Sequence, residues 1–191
     1  MTRSSPTLVT IEGEWIVASA ASPRVILPGA FNPVHAGHWG LAEAAGRKLG
    51  EPIEFELSRS NVDKPEIAAE EARRRAAQFH GRAAIWLTHA PRFADKAKLF
   101  PGATFVVGAD TAFRAVDPAY YGDDPARMNV VLAGIRERGC RFLVAARVMA
   151  DRLLSIGDLP IPAEFADLFV ELPGFRLDLS STELRDEKAV R

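Results

Sequence analysis

The segment PGAFNPVHAGHWG, residues 28–40, contains two of the chain's four histidines, together with glycines and prolines. His35 and His38 are three positions apart, so both imidazoles can project from one face of a first helical turn. Gly29 allows a ligand to approach the backbone closely, and Pro33 restrains the loop. A helix that begins here presents unpaired N–H groups and the positive end of its dipole. The segment therefore predicts a phosphate-binding site.

Two other interpretations of this histidine pair stay open. A single loop histidine is usually a surface or capping residue, although two on one face at the end of a strand weaken that interpretation. The pair could also chelate a metal ion, but the segment contains no cysteine or carboxylate to complete such a site. Phosphate binding is therefore favoured.

A second segment, LDLSSTELR at residues 177–185, combines helix-start signals with anion-binding residue types. Ser180 and Glu183 have the spacing of a capping box, which predicts a helix that begins at Ser181. Hydroxyl groups at that helix start, followed by Arg185, would form a cradle for a triphosphate. A terminal helix that is merely well capped would show the same spacing, but the first segment favours the phosphate interpretation.

Both segments resemble motifs of one known family. GAFNPVHAGH resembles the G-x-F-x-P-x-H-x-G-H motif of the nucleotidylyltransferase superfamily, most of all its nicotinamide/nicotinate mononucleotide adenylyltransferases. All six fixed positions of that motif are present: Gly29, Phe31, Pro33, His35, Gly37 and His38. LDLSSTELR resembles the family's I-S-S-T-x-x-R motif, with Leu179 in place of isoleucine. The resemblance extends over most of residues 24–185.

The resemblance implies transfer of an adenylyl group from ATP to a phosphate-bearing acceptor, nicotinamide or nicotinate mononucleotide, with release of pyrophosphate in NAD biosynthesis. Because the acceptor phosphate is already ionised near neutral pH, positioning and charge stabilisation would carry catalysis without a covalent intermediate. The implied catalytic residues are His35, His38 and Arg185, with His38 closest to the reacting centre. Mg²⁺ would bind mainly through ATP oxygens and water, and no protein metal ligand is expected.

Further substrate contacts follow from the resemblance by position. Residues of three stretches would contact ATP: Gly29, Ala30, Phe31, Gly37, Gly108, Asp110, Ser180, Ser181 and Thr182. Acceptor contacts are implied for Asn32 and for Lys64, which lies in the loop SRSNVDKP at 58–65. In FVVGADT, residues 105–111, Asp110 would accept hydrogen bonds from a ribose, although it could instead cap the following helix.

The identity of the acceptor stays open because the sequence departs from the family pattern. These adenylyltransferases commonly have a tryptophan a few residues after the G-x-D element, and GADTAFRAVDPAYY contains none. Phe113, Tyr120 or Tyr121 could stack on the pyridine ring instead. Phosphopantetheine adenylyltransferases usually have threonine at the position of His35, and cytidylyltransferases have an arginine and a glycine before the C-terminal serine. Both are disfavoured, and a nucleotide-binding module without turnover is the alternative from another class.

The elements that must position these residues alternate along the chain. Apolar strands are predicted at 25–27, 53–58, 84–88, 104–108 and 141–147, and helices at 35–49, 65–80, 92–100 and 126–139. This alternation predicts an α/β fold, a Rossmann-like doubly wound parallel sheet with helices on both faces. The carboxyl ends of the strands would share one edge, where ligands bind.

The remaining stretches are a predicted extension and a loop. Residues 7–19 indicate an extended segment or a small hairpin, and residues 117–125 indicate a long loop. We expect residues 1–22 to be an N-terminal extension or connector and residues 23–191 to form the nucleotidylyltransferase-like domain.

The overall composition is that of an ordinary globular protein. The chain is 48% hydrophobic and 26% charged, with a net charge of -1, which gives no reason to expect a nucleic-acid partner. It contains no apolar run of the roughly 20 residues that cross a bilayer, so no membrane partner is expected. A cytoplasmic location is expected, and a homo-oligomer is left open.

The chain has a single cysteine, Cys140. One cysteine excludes an internal disulfide, and Cys140 is expected to be a small buried residue.

Overall fold

The computed structural model describes residues 5–18, 23–62, 65–149 and 152–177. Its strands are β1 (Thr7–Val9), β2 (Trp15–Val17), β3 (Val25–Pro28), β4 (Glu54–Ser58), β5 (Ile85–Thr88), β6 (Thr104–Gly108), β7 (Arg141–Met149), β8 (Arg152–Leu154) and β9 (Phe169–Leu177). Its α-helices are α1 (Ala36–Leu49), α2 (Ala69–Ala76), α3 (Phe93–Leu99), α4 (Ala109–Ala115) and α5 (Pro125–Glu137). Among the described residues, no helix is long and apolar enough to cross a membrane.

All of these strands lie in one mostly parallel mixed sheet. The order is β2-β1-β5-β4-β3-β6-β7-β8, and β9 pairs with β7. Neighbouring strands from β5 to β7 run parallel, as do β7 and β9, whereas β1, β2 and β8 pair antiparallel. The sheet with its helices is a Rossmann-like α/β fold, which confirms the predicted fold class.

The central strands are mostly apolar because helices cover both faces of the sheet, and β4, which includes the buried Glu56, is the exception. On β3, Ile26 belongs to one core cluster, while Val25 and Leu27 belong to the other. The cluster around Ile26 takes in buried residues of α3, α4 and α5, and the opposite cluster takes in buried residues of α1 and α2. The alternation along each strand therefore builds two cores, one on each side of the sheet.

The predicted helix over 65–80 begins later than its sequence suggested. Pro65 does not stand at the helix start, because α2 begins at Ala69 and gives way to a 3₁₀ turn at Ala77–Phe79. The stretch before the helix is tied to the loop after β4: the N–H of Ile67 donates to the carbonyl of Arg59, and Arg59 Nε donates back to the carbonyl of Ile67. These tertiary hydrogen bonds hold residues 65–68 outside the helix.

The N-terminal segment forms the hairpin that its β-formers predicted. Strands β1 and β2 pair antiparallel across a turn that contains Gly13 at a φ of 88°. Strand β1 also pairs with β5, so the hairpin extends the edge of the main sheet. The predicted loop at 117–125 contains a 3₁₀ turn, Pro118–Tyr121, before α5 begins at Pro125.

Candidate functional site at the switch point of the sheet

The strand order reverses between β3 and β6, and the predicted site residues that the structure describes lie around this point. The chain runs from β3 outward to β4 and β5 on one side, then returns to β6 and β7 on the other. Loops at the carboxyl ends of β3 and β6 therefore leave in opposite directions and open a crevice, the usual ligand position in such sheets. The β3–α1 loop, residues 29–35, and the start of α4 line this crevice.

The β3–α1 loop has a tightly determined shape. A Cβ atom on Gly29 would lie 2.6 Å from the ring of Phe31, so only glycine fits there. Phe31 has a φ of 46°, a left-handed conformation that is unfavourable for a bulky residue. Its fully buried ring packs edge-on against Phe55 and Phe79, at centroid distances of 5.5 and 5.0 Å. This packing compensates for the backbone strain and fixes the entrance to α1.

The two histidines cap the start of α1 through their Nδ1 atoms. His35 is the N-cap residue, and its Nδ1 accepts a hydrogen bond from the N–H of Gly37 at 3.2 Å. His38 Nδ1 accepts from the N–H of His35, also at 3.2 Å. A neutral imidazole whose Nδ1 is an acceptor carries its proton on Nε2. The capping bonds therefore make each Nε2–H a hydrogen-bond donor at the positive end of a helix dipole.

His38 is uncharged at neutral pH. Burial, the neighbouring His35 and the positive charge of Arg147 together lower the pKa of His38 from 6.5 to about 3. The rings of His35 and His38 are 3.8 Å apart between centroids, and Phe31 packs edge-on against His38 at 5.1 Å. His38 can thus donate a hydrogen bond to an anion while contributing no positive charge of its own.

A basic residue that the sequence analysis missed completes this environment. Arg147, near the carboxyl end of β7, donates from Nη1 to Asp110 Oδ1 at 3.2 Å. Both side chains are largely buried, with 21% and 17% of their surfaces exposed. The sequence does contain a clue to Arg147, because it ends the apolar run RFLVAAR. The carboxyl end of that strand lies at the edge of the sheet where ligands bind, so an arginine there could reach a ligand.

Asp110 lies in the first turn of α4, with its carboxylate directed back over Gly108. A Cβ atom on Gly108 would lie 2.6 Å from Asp110 Oδ1, so the carboxylate needs glycine at that position. The N-cap of α4 is Gly108, and within the described part of the chain no side-chain hydrogen bond caps this helix. The geometry favours a carboxylate that faces the crevice over the alternative role as a helix cap.

The aromatic residues considered for stacking differ in their availability. Tyr121 donates its hydroxyl to the carbonyl of Ala115, and burial raises the pKa of Tyr121. Phe113 and Tyr120 are exposed, with 37% and 52% of their surfaces accessible. Of the three, these two can still offer a ring face to a ligand.

Several predicted site residues lie outside the described residues: Lys64, Ser180, Ser181, Thr182 and Arg185. Of the rest, Ala30, Phe31, Asn32, Gly29 and Gly37 lie in or beside the β3–α1 loop, and Gly108 and Asp110 face them from the end of β6. In the parts of the chain that the structure describes, no group of three or more histidine, cysteine, aspartate or glutamate residues could hold a metal ion.

Comparison with known proteins identifies the family. The model of a family described as cytidylyltransferase-like matches residues 26–187, which is most of the chain. The protein belongs to the cytidylyltransferase-like family. This family lies in the nucleotidyltransferase superfamily, which supports nucleotidyl transfer as the general chemistry of the fold. A search of curated proteins found no match.

Proposed function

We propose that the protein transfers an adenylyl group from ATP to a phosphate-bearing acceptor, with nicotinamide or nicotinate mononucleotide as the acceptor, and releases pyrophosphate. One observation carries this proposal: His35 and His38 cap α1 through Nδ1, which leaves the Nε2–H of His38 as a donor at a helix start, in the field of Arg147. This arrangement suits the phosphates of a nucleotide. Family membership supplies the general chemistry.

In the proposed reaction, an oxygen of the acceptor phosphate attacks the α-phosphorus of ATP. A new P–O bond forms, the bond between the α-phosphorus and the bridging oxygen breaks, and pyrophosphate leaves with that electron pair. No proton has to be removed from the acceptor, because its phosphate is already ionised. The protein therefore needs donors for the accumulating negative charge, and His38 Nε2–H and the Arg147 guanidinium would supply them.

The donor set of the crevice also bears on the proposed magnesium ion. Imidazole N–H groups, a guanidinium and a helix start are partners for an anion, so they fit the phosphate side of a magnesium–nucleotide complex rather than a bare cation. Mg²⁺ held by triphosphate oxygens and water would neutralise part of the charge on the leaving group. The chain's own part is to orient the triphosphate, and by the sequence resemblance Ser180, Ser181, Thr182 and Arg185 would take part in this.

Asp110 is the proposed ribose contact. Its carboxylate faces the crevice at the carboxyl end of β6 and is held there by Arg147 at 3.2 Å. A carboxylate in that position can accept both hydroxyls of a ribose. Asn32 and Lys64 remain the proposed acceptor contacts, and the exposed rings of Phe113 and Tyr120 are the proposed replacements for the tryptophan of the resembling family.

The deciding experiment measures pyrophosphate release with either ATP or CTP as donor. The acceptors are nicotinamide mononucleotide, nicotinate mononucleotide, phosphopantetheine and simple phosphorylated alcohols, and a His35→Ala/His38→Ala double variant serves as the background control. We expect turnover of a mononucleotide with ATP that the double variant lacks. Turnover with CTP or phosphopantetheine alone would move the protein to another branch of the superfamily. Tight binding of ATP without any turnover would favour the nucleotide-binding module.

A further inference from the structure

Helix α2 and the 3₁₀ turn after it hold the main chain of the β3–α1 loop. Arg75 Nη1 donates to the carbonyl of Ala30 at 2.9 Å. The Gln78 amide binds the loop at two further points: Nε2 donates to the carbonyl of Phe31, and Oε1 accepts from the N–H of Val34, each at 3.0 Å. These three hydrogen bonds come from outside the loop and reach both sides of its bend.

The Gln78 side chain is fully used in this contact. Its Nε2 also donates to the carbonyl of Arg75 at 3.1 Å, so both amide hydrogens and the amide oxygen have partners. A carboxamide can both donate and accept hydrogen bonds, whereas a carboxylate only accepts and a methionine sulfur is only a weak acceptor. The position therefore depends on the chemistry of glutamine and not on its bulk alone.

Arg75 is fixed in turn by an acidic neighbour on the same helix. Glu71 accepts from Arg75 Nε at 2.6 Å and from two nitrogens of Arg74, and these hydrogen bonds lower the pKa of Glu71 to about 2. Arg74 Nη2 also donates to Asn32 Oδ1 at 3.2 Å. The carboxylate thus stays ionised at all ordinary pH values and aims both guanidinium groups at the loop.

The loop conformation reaches the histidines through Phe31. Gln78 holds the carbonyl of this residue, whose φ of 46° needs support from its surroundings. The Phe31 ring then packs against His38, and the N–H of Val34, the residue before the helix cap, is held by the same amide. Release of the loop would therefore shift the histidine pair and let water reach His38.

We propose that Gln78 and Arg75 are positioning residues, which hold the β3–α1 loop so that the histidine pair faces the nucleotide phosphates. This inference rests on the proposed function, because it takes the loop to be the phosphate site. Neither residue reaches the substrate in this role, and both act on the main chain of residues 30–34.

The test compares two pairs of variants. Arg75→Ala is matched by Arg73→Ala, two positions earlier on the same helix, since Arg73 is exposed, approaches the Trp15 ring at 5.9 Å and forms no ion pair among the described residues. Gln78→Met keeps the side-chain length without hydrogen bonds, and Gln78→Glu keeps the shape but turns a carboxylate oxygen toward two carbonyls. We expect kcat to fall about 10- to 100-fold in Arg75→Ala and in both Gln78 variants, as misplacement of about 1 Å can cause, and to stay unchanged in Arg73→Ala.

A second readout does not depend on turnover. NMR titration of His38 should show its pKa rising from about 3 toward 6.5 in Gln78→Met, because burial is the largest cause of the lowered value. Calorimetry with inorganic tripolyphosphate should show weaker binding in the same variant, and Arg75→Lys should recover part of the loss. If folded Gln78→Met and Arg75→Ala both keep the His38 titration and the tripolyphosphate affinity of the wild type, the positioning role is wrong. Absence of turnover in the wild type would overturn only the proposed function, since these two measurements would still judge the positioning role.

Discussion

At the scale of single residues, the site depends on which nitrogen of each of the two histidines caps the helix and which one carries the proton. Each Nδ1 accepts a backbone N–H at the α1 start, so the proton of each neutral ring is on Nε2, and we propose that His38 offers this Nε2–H to a ligand. The sequence predicts that the two imidazoles lie together at a helix start, because both belong to one ten-residue motif, but it does not indicate which nitrogen caps the helix. It could not predict Arg147 or Gln78, whose contacts with the site arise only when β7 and α2 are placed beside the β3–α1 loop.

Replacement of His38 should remove a donor that acts in the transition state. We expect His38→Ala to lower kcat about 100- to 1000-fold, the usual effect of losing one such donor. His80→Ala is the control, because His80 is exposed and follows the 3₁₀ turn after α2, beside Gly13 of the N-terminal hairpin. Steady-state kinetics with the acceptor found in the panel, together with circular dichroism, checks both. A folded His38→Ala protein with wild-type kcat would remove this residue from the proposed mechanism.

The lowered pKa of His38 also predicts how stability depends on pH. The folded value of about 3 lies below the ordinary value of 6.5, so between these pH values the unfolded chain binds a proton that the folded protein does not. The contribution of His38 to stability is therefore fully present above pH 6.5 and is lost progressively as the pH falls toward 3. Urea titrations from pH 4 to 7 should show a shallower pH slope in His38→Gln than in the wild type. Equal slopes would mean that His38 is protonated normally in the folded protein.

At the scale of elements, a buried ion pair joins α3 to the centre of the sheet. Glu56 on β4 is fully buried, and its carboxylate accepts from Lys96 Nζ at 2.6 Å and from the Thr88 hydroxyl at 2.5 Å. Lys96 also donates to the carbonyl of Ala90, in the turn between β5 and α3. The main-chain carbonyl of Glu56 accepts from the N–H of Gly29, at the start of the β3–α1 loop. The pair thus ties α3, β5 and the ligand edge to one residue of β4.

Removal of one partner from this pair should be costly. We expect Lys96→Met to destabilise the protein by about 3–5 kcal/mol, because it leaves the Glu56 carboxylate buried without a cation. The additional change Glu56→Gln should recover much of that loss. Lys98→Met is the matched control on the same helix, since Lys98 is 43% exposed and meets Asp95 at 3.5 Å. Chemical denaturation of the four proteins checks this, and a Lys96→Met variant as stable as Lys98→Met would contradict it.

At the scale of the whole molecule, the sequence predicted strands β3 to β7 and the N-terminal hairpin, but not strands β8 and β9. The strands β3 to β7 are short, mostly apolar runs between helices, and such runs can be recognised from the local pattern alone. The sequence does not predict strand β9, because Pro173 and Gly174 interrupt its apolar pattern, FVELPGFRL. In the structure, β9 accommodates them by a shift in its register with β7 between Ala145 and Ala146. The start of α2 was misplaced for a related reason, since tertiary hydrogen bonds to Arg59 hold the residues before it. Local signals fail where a contact from another element decides the conformation.

The N-terminal hairpin was predicted as an extension or connector, and its contacts lead to a test of that prediction. Val9 on β1 is 5% exposed and belongs to the core cluster that α1 and α2 cover, whereas Val17 on β2 is 71% exposed. Val→Ala removes the equivalent of two methylene groups, so Val9→Ala should cost about 1.5 kcal/mol of unfolding free energy for the whole domain. Val17→Ala, the same change in the same hairpin, should cost less than about 0.5 kcal/mol. Both variants should keep the wild-type kcat, because neither residue approaches the switch point.

Urea denaturation, followed by tryptophan fluorescence and by far-UV circular dichroism, measures the loss of unfolding free energy in both variants. Coincident transitions with Val9→Ala shifted and Val17→Ala unshifted would make the hairpin part of the cooperative unit, whereas two unshifted variants would show that it folds apart from the domain as a connector.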